Sequence, residues 1–170
     1  WTDYEEFGIN LTYPALVCAE DGALIMVARR SYEDQPWELE MWTKAPEKKW
    51  MPEQSLIRSC PGEYAQFAAS LAWGTDHRTL HLATRISEMP PNQKLSPITT
   101  VGYMKSPDCG KTWTTAGGDP VTLPATAATI DVLARGDGRD TRVLAVGSIG
   151  IGPDDSPYIP YSIRIQDSGH

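Results

Sequence analysis

The chain has no long apolar run, few cysteines and histidines, and a shortage of positive charge. No stretch approaches the ~18 consecutive apolar residues that a membrane-spanning helix needs. Its three cysteines and three histidines are too scattered to give metal-ligand spacing. Fifteen Lys and Arg against 22 Asp and Glu leave a net charge of −7, which argues against a nucleic-acid backbone as partner. The sequence therefore predicts no membrane span, no metal or other cofactor, and no nucleic-acid partner.

The remaining composition is that of a folded, turn-rich domain. Hydrophobic residues make up 41% of the 170 residues, and glycine and proline occur 14 times each, as in globular chains. An anionic sugar remains open as a partner, because a few arginines in a pocket are enough to bind one. The sequence predicts a single unit over residues 1–170, with a glycan or polysaccharide as its candidate partner.

One eight-residue segment, residues 106–113, has the residue pattern of a tight turn. It reads S-x-D-x-G-x-T-W and is formed by Ser106, Asp108, Gly110, Thr112 and Trp113. Ser and Asp side chains bond to the backbone of a tight turn, glycine takes a positive φ there, and the indole anchors the next strand. Thr43 to Trp50 spans the same distance and keeps the hydroxyl and the Trp, but it lacks the Asp and the Gly. These positions predict a structural turn without chemistry.

Three stretches of the chain repeat one plan of apolar run, Gly- or Asp-containing turn and second apolar run. They are residues 13–29, 67–85 and 128–147. Apolar runs bounded by such turns indicate hairpins of buried strands. Trp50 and Trp113 stand about 60 residues apart, which is the length of four strands with their loops. The repeat predicts four-stranded units at about 10–62, 63–125 and 126–170.

Four-stranded units in tandem, with little sign of helix, predict an all-β fold of the β-propeller type. A β-sandwich is the alternative, although it does not explain the repeat. About three blades fall short of the four that a closed ring needs. We therefore expect a partial ring, completed by the remainder of a propeller or by another chain. The start at Trp1, without a signal peptide, indicates a processed form or an excised piece.

The eight-residue pattern is the Asp box, or bacterial neuraminidase repeat, and the chain resembles the sialidase (neuraminidase) superfamily. In that family an R-I-P-A-L segment, a turn, a strand ending in arginine, an Asp and an E-L strand follow in order. Here Tyr13–Leu16, Asp21-Gly22, Leu24–Arg30, Asp34 and Glu38-Leu39 run in the same order. The resemblance covers about residues 12–50 and 98–114, and it implies a sialidase-type propeller.

The resemblance also implies roles for individual residues. Asp34 matches the loop Asp that acts as acid/base, and Arg29 or Arg30 matches an arginine that binds the sugar carboxylate. Thr12 stands where the family has its first carboxylate-binding arginine, which puts recognition of sialic acid in doubt. A solvated loop acid is the alternative for Asp34.

Repeat position adds further candidates. Arg85 occupies the place of Arg29 when Leu24 is aligned with Leu80, so the two arginines are candidates to line an anionic funnel, with salt bridging as the alternative. Trp37 is a candidate platform for a sugar ring, with packing as the alternative. His77 and His81 are candidates for a general base in a lyase, with turn and packing roles as the alternative.

Two classes of function follow. The first is a sialidase-like glycoside hydrolase, or part of one, acting on a terminal acidic sugar with Asp34 as acid/base and Arg29, Arg30 and Arg85 on the carboxylate. The second is a non-catalytic Asp-box propeller that binds glycan or protein through its loops, and an Asp-box polysaccharide lyase is a further alternative. Family habit and the Asn10-Leu11-Thr12 sequon predict a secreted or periplasmic protein.

Overall fold

The computed structural model describes residues 4–34, 36–62, 64–89, 97–136 and 142–165. The secondary structure of these residues consists of β-strands joined by turns and irregular segments. The strands are β1 Leu11–Cys18, β2 Leu24–Arg30, β3 Glu38–Lys44, β4 Met51–Arg58, β5 Tyr64–Trp73, β6 Leu80–Met89, β7 Ile98–Ser106, β8 Asp131–Arg135, β9 Arg142–Val146, β10 Gly150–Ile151, β11 Pro157–Tyr158 and β12 Tyr161–Ile165.

The first blade is a four-stranded antiparallel sheet in the order β1-β2-β3-β4. Its first hairpin closes at Asp21-Gly22, where Gly22 has a φ of 84°. The amide of Ala23 donates to Asp21 Oδ1 at 2.9 Å, and the amide of Ala19 donates to the Ala23 carbonyl at 2.7 Å. The short polar turn that the sequence predicts therefore sets the register of β1 on β2.

The second blade is a four-stranded antiparallel sheet in the order β5-β6-β7-β8. It extends beyond the predicted boundary at residue 125, because β8 pairs with β7 and does not open a third unit. A Cβ at Gly102 would lie 2.3 Å from Cδ1 of Ile130. The missing side chain at this position lets the chain leading into β8 lie close against β7.

The chain after the second blade forms two smaller sheets. β9 pairs with β12, and β10 pairs with β11, both antiparallel. The predicted hairpin between residues 128–134 and 142–147 is therefore replaced by two separate pairings, since 131–135 belongs to the second blade. Residues 137–141 of the predicted turn lie outside the described residues. The fold is an all-β partial propeller with two four-stranded blades and part of a third.

The main core lies between the first two blades. Alternate residues of each strand point to one face of a sheet, so Ile25 and Val27 on β2 meet Phe67 on β5 and Ile86 on β6. Trp113 of the Asp box belongs to the same cluster and is 2% exposed. The chain between the Asp box and β8 also pairs with β4, through Ala125. The two blades are thus joined by a continuous apolar interface.

The Asp box closes on itself through its side chains. Asp108 accepts hydrogen bonds from Ser106 Oγ, the Thr112 amide and Thr112 Oγ1, each at 2.8 Å. Ser106 Oγ accepts from the Gly110 amide at 2.7 Å, and Trp113 Nε1 donates to the Gly110 carbonyl at 3.1 Å. Gly110 has a φ of 93°. In the degenerate copy, Glu47 holds the equivalent position with a φ of 57°, but Pro46 stands where Cys109 has a φ of 61°, so only part of the turn's backbone shape is kept.

We expect Asp108→Ala to lower the free energy of unfolding by about 1–3 kcal/mol, because the turn loses its charged acceptor. Burial opposes ionisation of Asp108, but the hydrogen bonds from Thr112 and Ser106 outweigh it and lower its pKa. The stabilisation is therefore complete at neutral pH and is lost as the pH falls through that lowered pKa. Chemical denaturation at pH 7 and in acid, with Lys111→Ala as the exposed control in the same turn, measures both effects. Equal stability of the two variants at pH 7 would contradict the structural role.

Candidate functional site

The strand directions divide the blades into two faces. β1 and β5 contact each other as the first strands of adjacent blades, and both begin at one end, where β2 and β6 finish. We call this end the site face. The Asp box follows β7 at the opposite end, since Ser106 pairs with Leu80 at the start of β6. Arg29, Arg30, Tyr64 and Trp37 all belong to the site face.

Arg29 is held on the site face by two hydrogen bonds and by two aromatic rings. Its Nε donates to Thr12 Oγ1 at 2.9 Å, and its Nη1 donates to the Ala65 carbonyl of the neighbouring blade at 3.3 Å. Its guanidinium carbon lies 5.0 Å from the ring centroid of Tyr13 and 4.9 Å from that of Trp37. Thr12, where the resemblance places an arginine, therefore orients Arg29 instead of supplying a second guanidinium.

Trp37 is held on several sides. Its indole Nε1 donates to the Tyr32 carbonyl at 3.0 Å, and its amide donates to Ser59 Oγ at 3.0 Å. The Ser59 amide donates back to the Trp37 carbonyl at 2.9 Å. Its ring meets Tyr64 edge-on, with centroids 5.7 Å apart. The half-buried indole is therefore fixed between the two blades, with the guanidinium of Arg29 over its ring.

Arg85 lies at the repeat-equivalent place on the second blade. Arg85 lies two residues after Ala83 on β6, so both side chains lie on the same side of the sheet. This is the side that packs against the third unit. Its Nη2 donates to Gln66 Oε1 at 2.5 Å, while its buried Nε has no hydrogen-bond partner among the described residues. Burial lowers the pKa of Arg85, and the nearby phenols of Tyr64 and Tyr13 oppose that shift. Tyr13 therefore lies beside Arg29 and within electrostatic range of Arg85.

Arg30 does not join Arg29 and Trp37. Its side chain lies on the opposite side of the first sheet from that of Arg29. There its Nη1 lies 4.0 Å from Glu40 Oε2 and its guanidinium carbon lies 5.5 Å from the Tyr32 ring. Tyr32 also donates to Glu40 Oε1 at 2.5 Å. Burial, followed by the hydrogen bond and charge of Glu40, raises the pKa of the Tyr32 phenol. Arg30 is thus engaged in an ion pair beside the site.

Asp34 lies on the exposed loop between β2 and β3. Tyr32 and Trp37 anchor the two ends of this loop. No hydrogen bond or ion pair joins Asp34 to another described residue. Asp34 therefore lies three residues before Trp37 on this loop, and its catalytic role stays a prediction.

Sequence reasoning missed Tyr13 and Tyr64 as ring neighbours of this site, and Thr12 and Gln66 as the hydrogen-bond partners of Arg29 and Arg85. Tyr13 has a φ of 55° and lies where the register of β1 shifts against β2. A non-glycine residue in this conformation stores strain, which is common at functional sites. Pro14 was an available signal, because proline within a strand marks an edge or a bulge.

The two internal histidines lie towards the Asp-box end. His81 is buried, its Nδ1 lies 2.7 Å from Tyr103 Oη, and its Nε2 lies 3.9 Å from Asp155 Oδ2. Burial lowers the pKa of His81, and Asp155 only partly opposes this shift. His77 is exposed, with its Nδ1 3.8 Å from Glu20. These contacts support the packing and turn alternatives for both residues.

The described residues offer no group of three or more His, Cys, Asp or Glu side chains that would hold a metal ion. Within the same part of the chain, no helix has the length and apolar character needed to cross a bilayer. Cys18, Cys60 and Cys109 are free thiols.

Comparison with known proteins supports the propeller. The sequence model of a family described as "BNR repeat-containing family member" matches residues 2–169. An ulvan lyase from a new polysaccharide lyase family, solved alone and bound to -[GlcA(1-4)Rha3S]-, superposes with a TM-score of 0.72 at 13% identity, covering 94% of this chain and 38% of its own. A protein of unknown function from Dyadobacter fermentans gives a TM-score of 0.46 at 18% identity, over 94% of this chain and 52% of that one. Comparison with curated proteins finds no matching sequence. The chain spans 38% of the length of the lyase it matches.

We expect His81 to make the stability of the protein fall below about pH 6.5, the ordinary pKa of histidine. Its pKa is lowered in the fold, so the unfolded chain binds more protons below that pH and is favoured as the pH falls. His81→Gln removes this contribution, and the exposed His77→Gln is the matched control that keeps it. Denaturation midpoints from pH 8 to pH 5 test the difference. The same pH slope in wild type and His81→Gln would contradict the assignment.

Proposed function

Because the chain belongs to the family of BNR repeat-containing proteins, we propose that it forms the part of a β-propeller that binds an acidic glycan for processing. The binding site is the cluster of Arg29, Trp37, Tyr13, Tyr64 and Arg85, which we call the arginine–aromatic cluster. The observation that carries the proposal is Arg29, pre-positioned between two aromatic rings and two blades.

The geometry of Arg29 favours an anionic ligand. Guanidinium has five N–H donors, and the bonds to Thr12 and Ala65 engage Nε and Nη1 only. The remaining donors can bind a carboxylate or a sulfate group. Tyr13 and Tyr64 are 48% and 39% exposed, so their rings and hydroxyls are open to a sugar. A uronic acid combines the anion and the apolar ring face that such a site would select.

The proposed reaction is elimination, as in a polysaccharide lyase. In this reaction a base takes the C5 proton of a uronic acid, the C4–O bond breaks, and the leaving oxygen gains a proton. A guanidinium at the carboxylate stabilises the charge that develops when the C5 proton leaves. The phenols of Tyr13 and Tyr64 are the candidate proton carriers near Arg29 and Arg85. The superposed lyase, which was solved with a uronic-acid ligand, supports this proposal by analogy.

Hydrolysis is the second candidate, favoured by the sialidase resemblance. It would use Asp34 as acid/base, and most glycosidases pair such a group with a second carboxylate. Glu38 and Glu40 are the nearest acids described on β3, but Arg58 engages Glu38 and Tyr32 engages Glu40. β3 therefore supplies no second unengaged carboxylate, but sialidases use a tyrosine nucleophile in its place, so the reaction products, and not the acids of β3, separate hydrolysis from elimination.

The ring requires further blades. Two four-stranded blades and part of a third do not close a propeller, and Leu16 and Ile163 are 54% and 51% exposed. We propose that the remainder of the propeller, or another chain, covers these surfaces and completes the site. A protein acting on a polysaccharide would work outside the cytoplasm, as a secreted or periplasmic protein.

We expect Arg29→Gln to weaken binding of a disaccharide of glucuronic acid and sulfated rhamnose by 10- to 100-fold, or about 1.4–2.7 kcal/mol. The loss follows from removal of the planar, two-point anion contact. Arg30→Gln is the matched control, because Arg30 is adjacent in sequence but paired with Glu40, and we expect less than a threefold change. Isothermal titration calorimetry measures both variants. A similar affinity for Arg29→Gln and wild type would rule out the proposed site.

Product analysis separates the two reactions. Elimination creates a conjugated double bond, which is detected by its ultraviolet absorbance, whereas hydrolysis releases saturated reducing ends. Under elimination we expect Asp34→Asn to keep activity and Tyr64→Phe to lower it, because Tyr64 is a candidate proton carrier. Saturated products that disappear in Asp34→Asn would favour hydrolysis instead. Saturable binding without either product would show a non-catalytic glycan-binding propeller.

A further inference from the structure

A cavity opens on the site face, near the arginine–aromatic cluster. It has a volume of about 590 Å³ and lies between the first and second blades. Its lining includes Arg58, Pro61, Glu88, Pro124, Ala128 and Arg135. Binding sites for small ligands commonly have this size and this mixture of apolar walls with a few polar groups. We call this cavity the outer groove.

Hydrogen bonds and strand pairing connect residues of the outer groove with residues of the arginine–aromatic cluster. Ser59 lines the groove and exchanges two backbone-anchored hydrogen bonds with Trp37. Glu88 also lines it and is paired across the sheet with Ala65, whose carbonyl accepts from Arg29. The outer groove therefore borders the residues that hold Trp37 and Arg29 in place.

The groove carries a negative side chain near the inner strands of the blades and positive side chains near the outer strands. Glu88 lies on β6, the second strand of its blade, and its Oε1 accepts from the Cys60 amide at 2.6 Å. Burial, followed by the charge of Glu88, raises the pKa of the Cys60 thiol to about 11, so this thiol stays neutral. Arg58 and Arg135 lie on β4 and β8, the outermost strands of the two blades. The outer end of the groove is therefore the cationic end.

Of the two arginines, Arg135 is the one available to a ligand. Arg58 Nε donates to Glu38 Oε1 at 2.7 Å, so its charge is largely balanced within the first blade. Arg135 is exposed, and no ion pair or side-chain hydrogen bond joins it to another described residue. A guanidinium without a partner among the described residues, beside proline and alanine walls, suits a sugar that presents both an apolar ring face and an anionic group.

We propose that the outer groove is an additional subsite for the acidic glycan, in which Arg135 binds the sulfate or carboxylate of a sugar beyond the one held by Arg29. This inference rests on the proposed glycan-binding function and extends it from a single acidic sugar to a longer anionic chain. It predicts that binding strengthens with chain length because more of the ligand's anions are then in contact with arginine.

The test compares two ligand lengths with the whole protein. Isothermal titration calorimetry is performed with a disaccharide and a hexasaccharide of glucuronic acid and sulfated rhamnose, and with the desulfated hexasaccharide. We expect Arg135→Gln to weaken the hexasaccharide at least fivefold and to leave the disaccharide unchanged. Arg78→Gln, an exposed arginine at the Asp-box end, is the matched control and should change neither. Loss of the Arg135 effect on desulfation identifies a sulfate as the contacted group, and its persistence identifies a carboxylate.

A second variant tests the groove independently of charge. Ala128 is exposed on the groove wall, so Ala128→Trp fills the groove and should also weaken the hexasaccharide selectively. Equal hexasaccharide affinity in wild type, Arg135→Gln and Ala128→Trp would overturn the subsite, even if Arg29→Gln abolishes disaccharide binding and so supports the proposed function. Absence of wild-type binding to either oligosaccharide would overturn both the subsite and the proposed function.

Discussion

Packing of the first blade against the second is the constraint on which the rest of the structure depends. Alternate residues of β2 point into this interface in the order Ile25, Val27 and Arg29. The first two are buried among apolar residues of β5 and β6, and the third comes at the edge of the core. Its guanidinium therefore lies at the end of the apolar packing, near the rings of Tyr13 and Trp37. The position of the arginine is a consequence of how the sheets bury their apolar faces.

The two ends of the blades differ in how their side chains are engaged. At one end, the strands are joined by turns whose own side chains satisfy the backbone, with Asp108 as the clearest example. Because these polar groups already form hydrogen bonds within the turn, few donors or acceptors remain for a ligand. At the other end, the loops are held by the amide and the indole Nε1 of Trp37, while the nearby Tyr13 and Tyr64 stay 48% and 39% exposed. The contrast explains why the motif that marks the fold lies away from the proposed site.

The interface between blades also links the two proposed sugar positions. Arg29 bonds to the carbonyl of Ala65 across the interface, and Glu88 lies opposite Ala65 on the neighbouring strand. Any change in how the blades pack would move both positions together. The arrangement is repeated only in part at the next interface, where Arg85 meets Gln66 on its own blade. The blades thus share a sequence plan while each interface acquires its own polar contacts.

The sequence by itself determined the all-β class, the Asp box and the repeat, because turn residues and strand periodicity act over a few neighbouring positions. It also placed Arg29, Arg85 and Trp37 among the candidates. Only the tertiary structure decided that Arg30 turns away to Glu40, that Thr12 and Tyr13 frame Arg29, and that β8 completes the second blade. These outcomes depend on strand register, on a bulge at Tyr13 and on which sheet edge the chain reaches after residue 125. Such choices are set by contacts between distant parts of the chain, which local pattern does not encode.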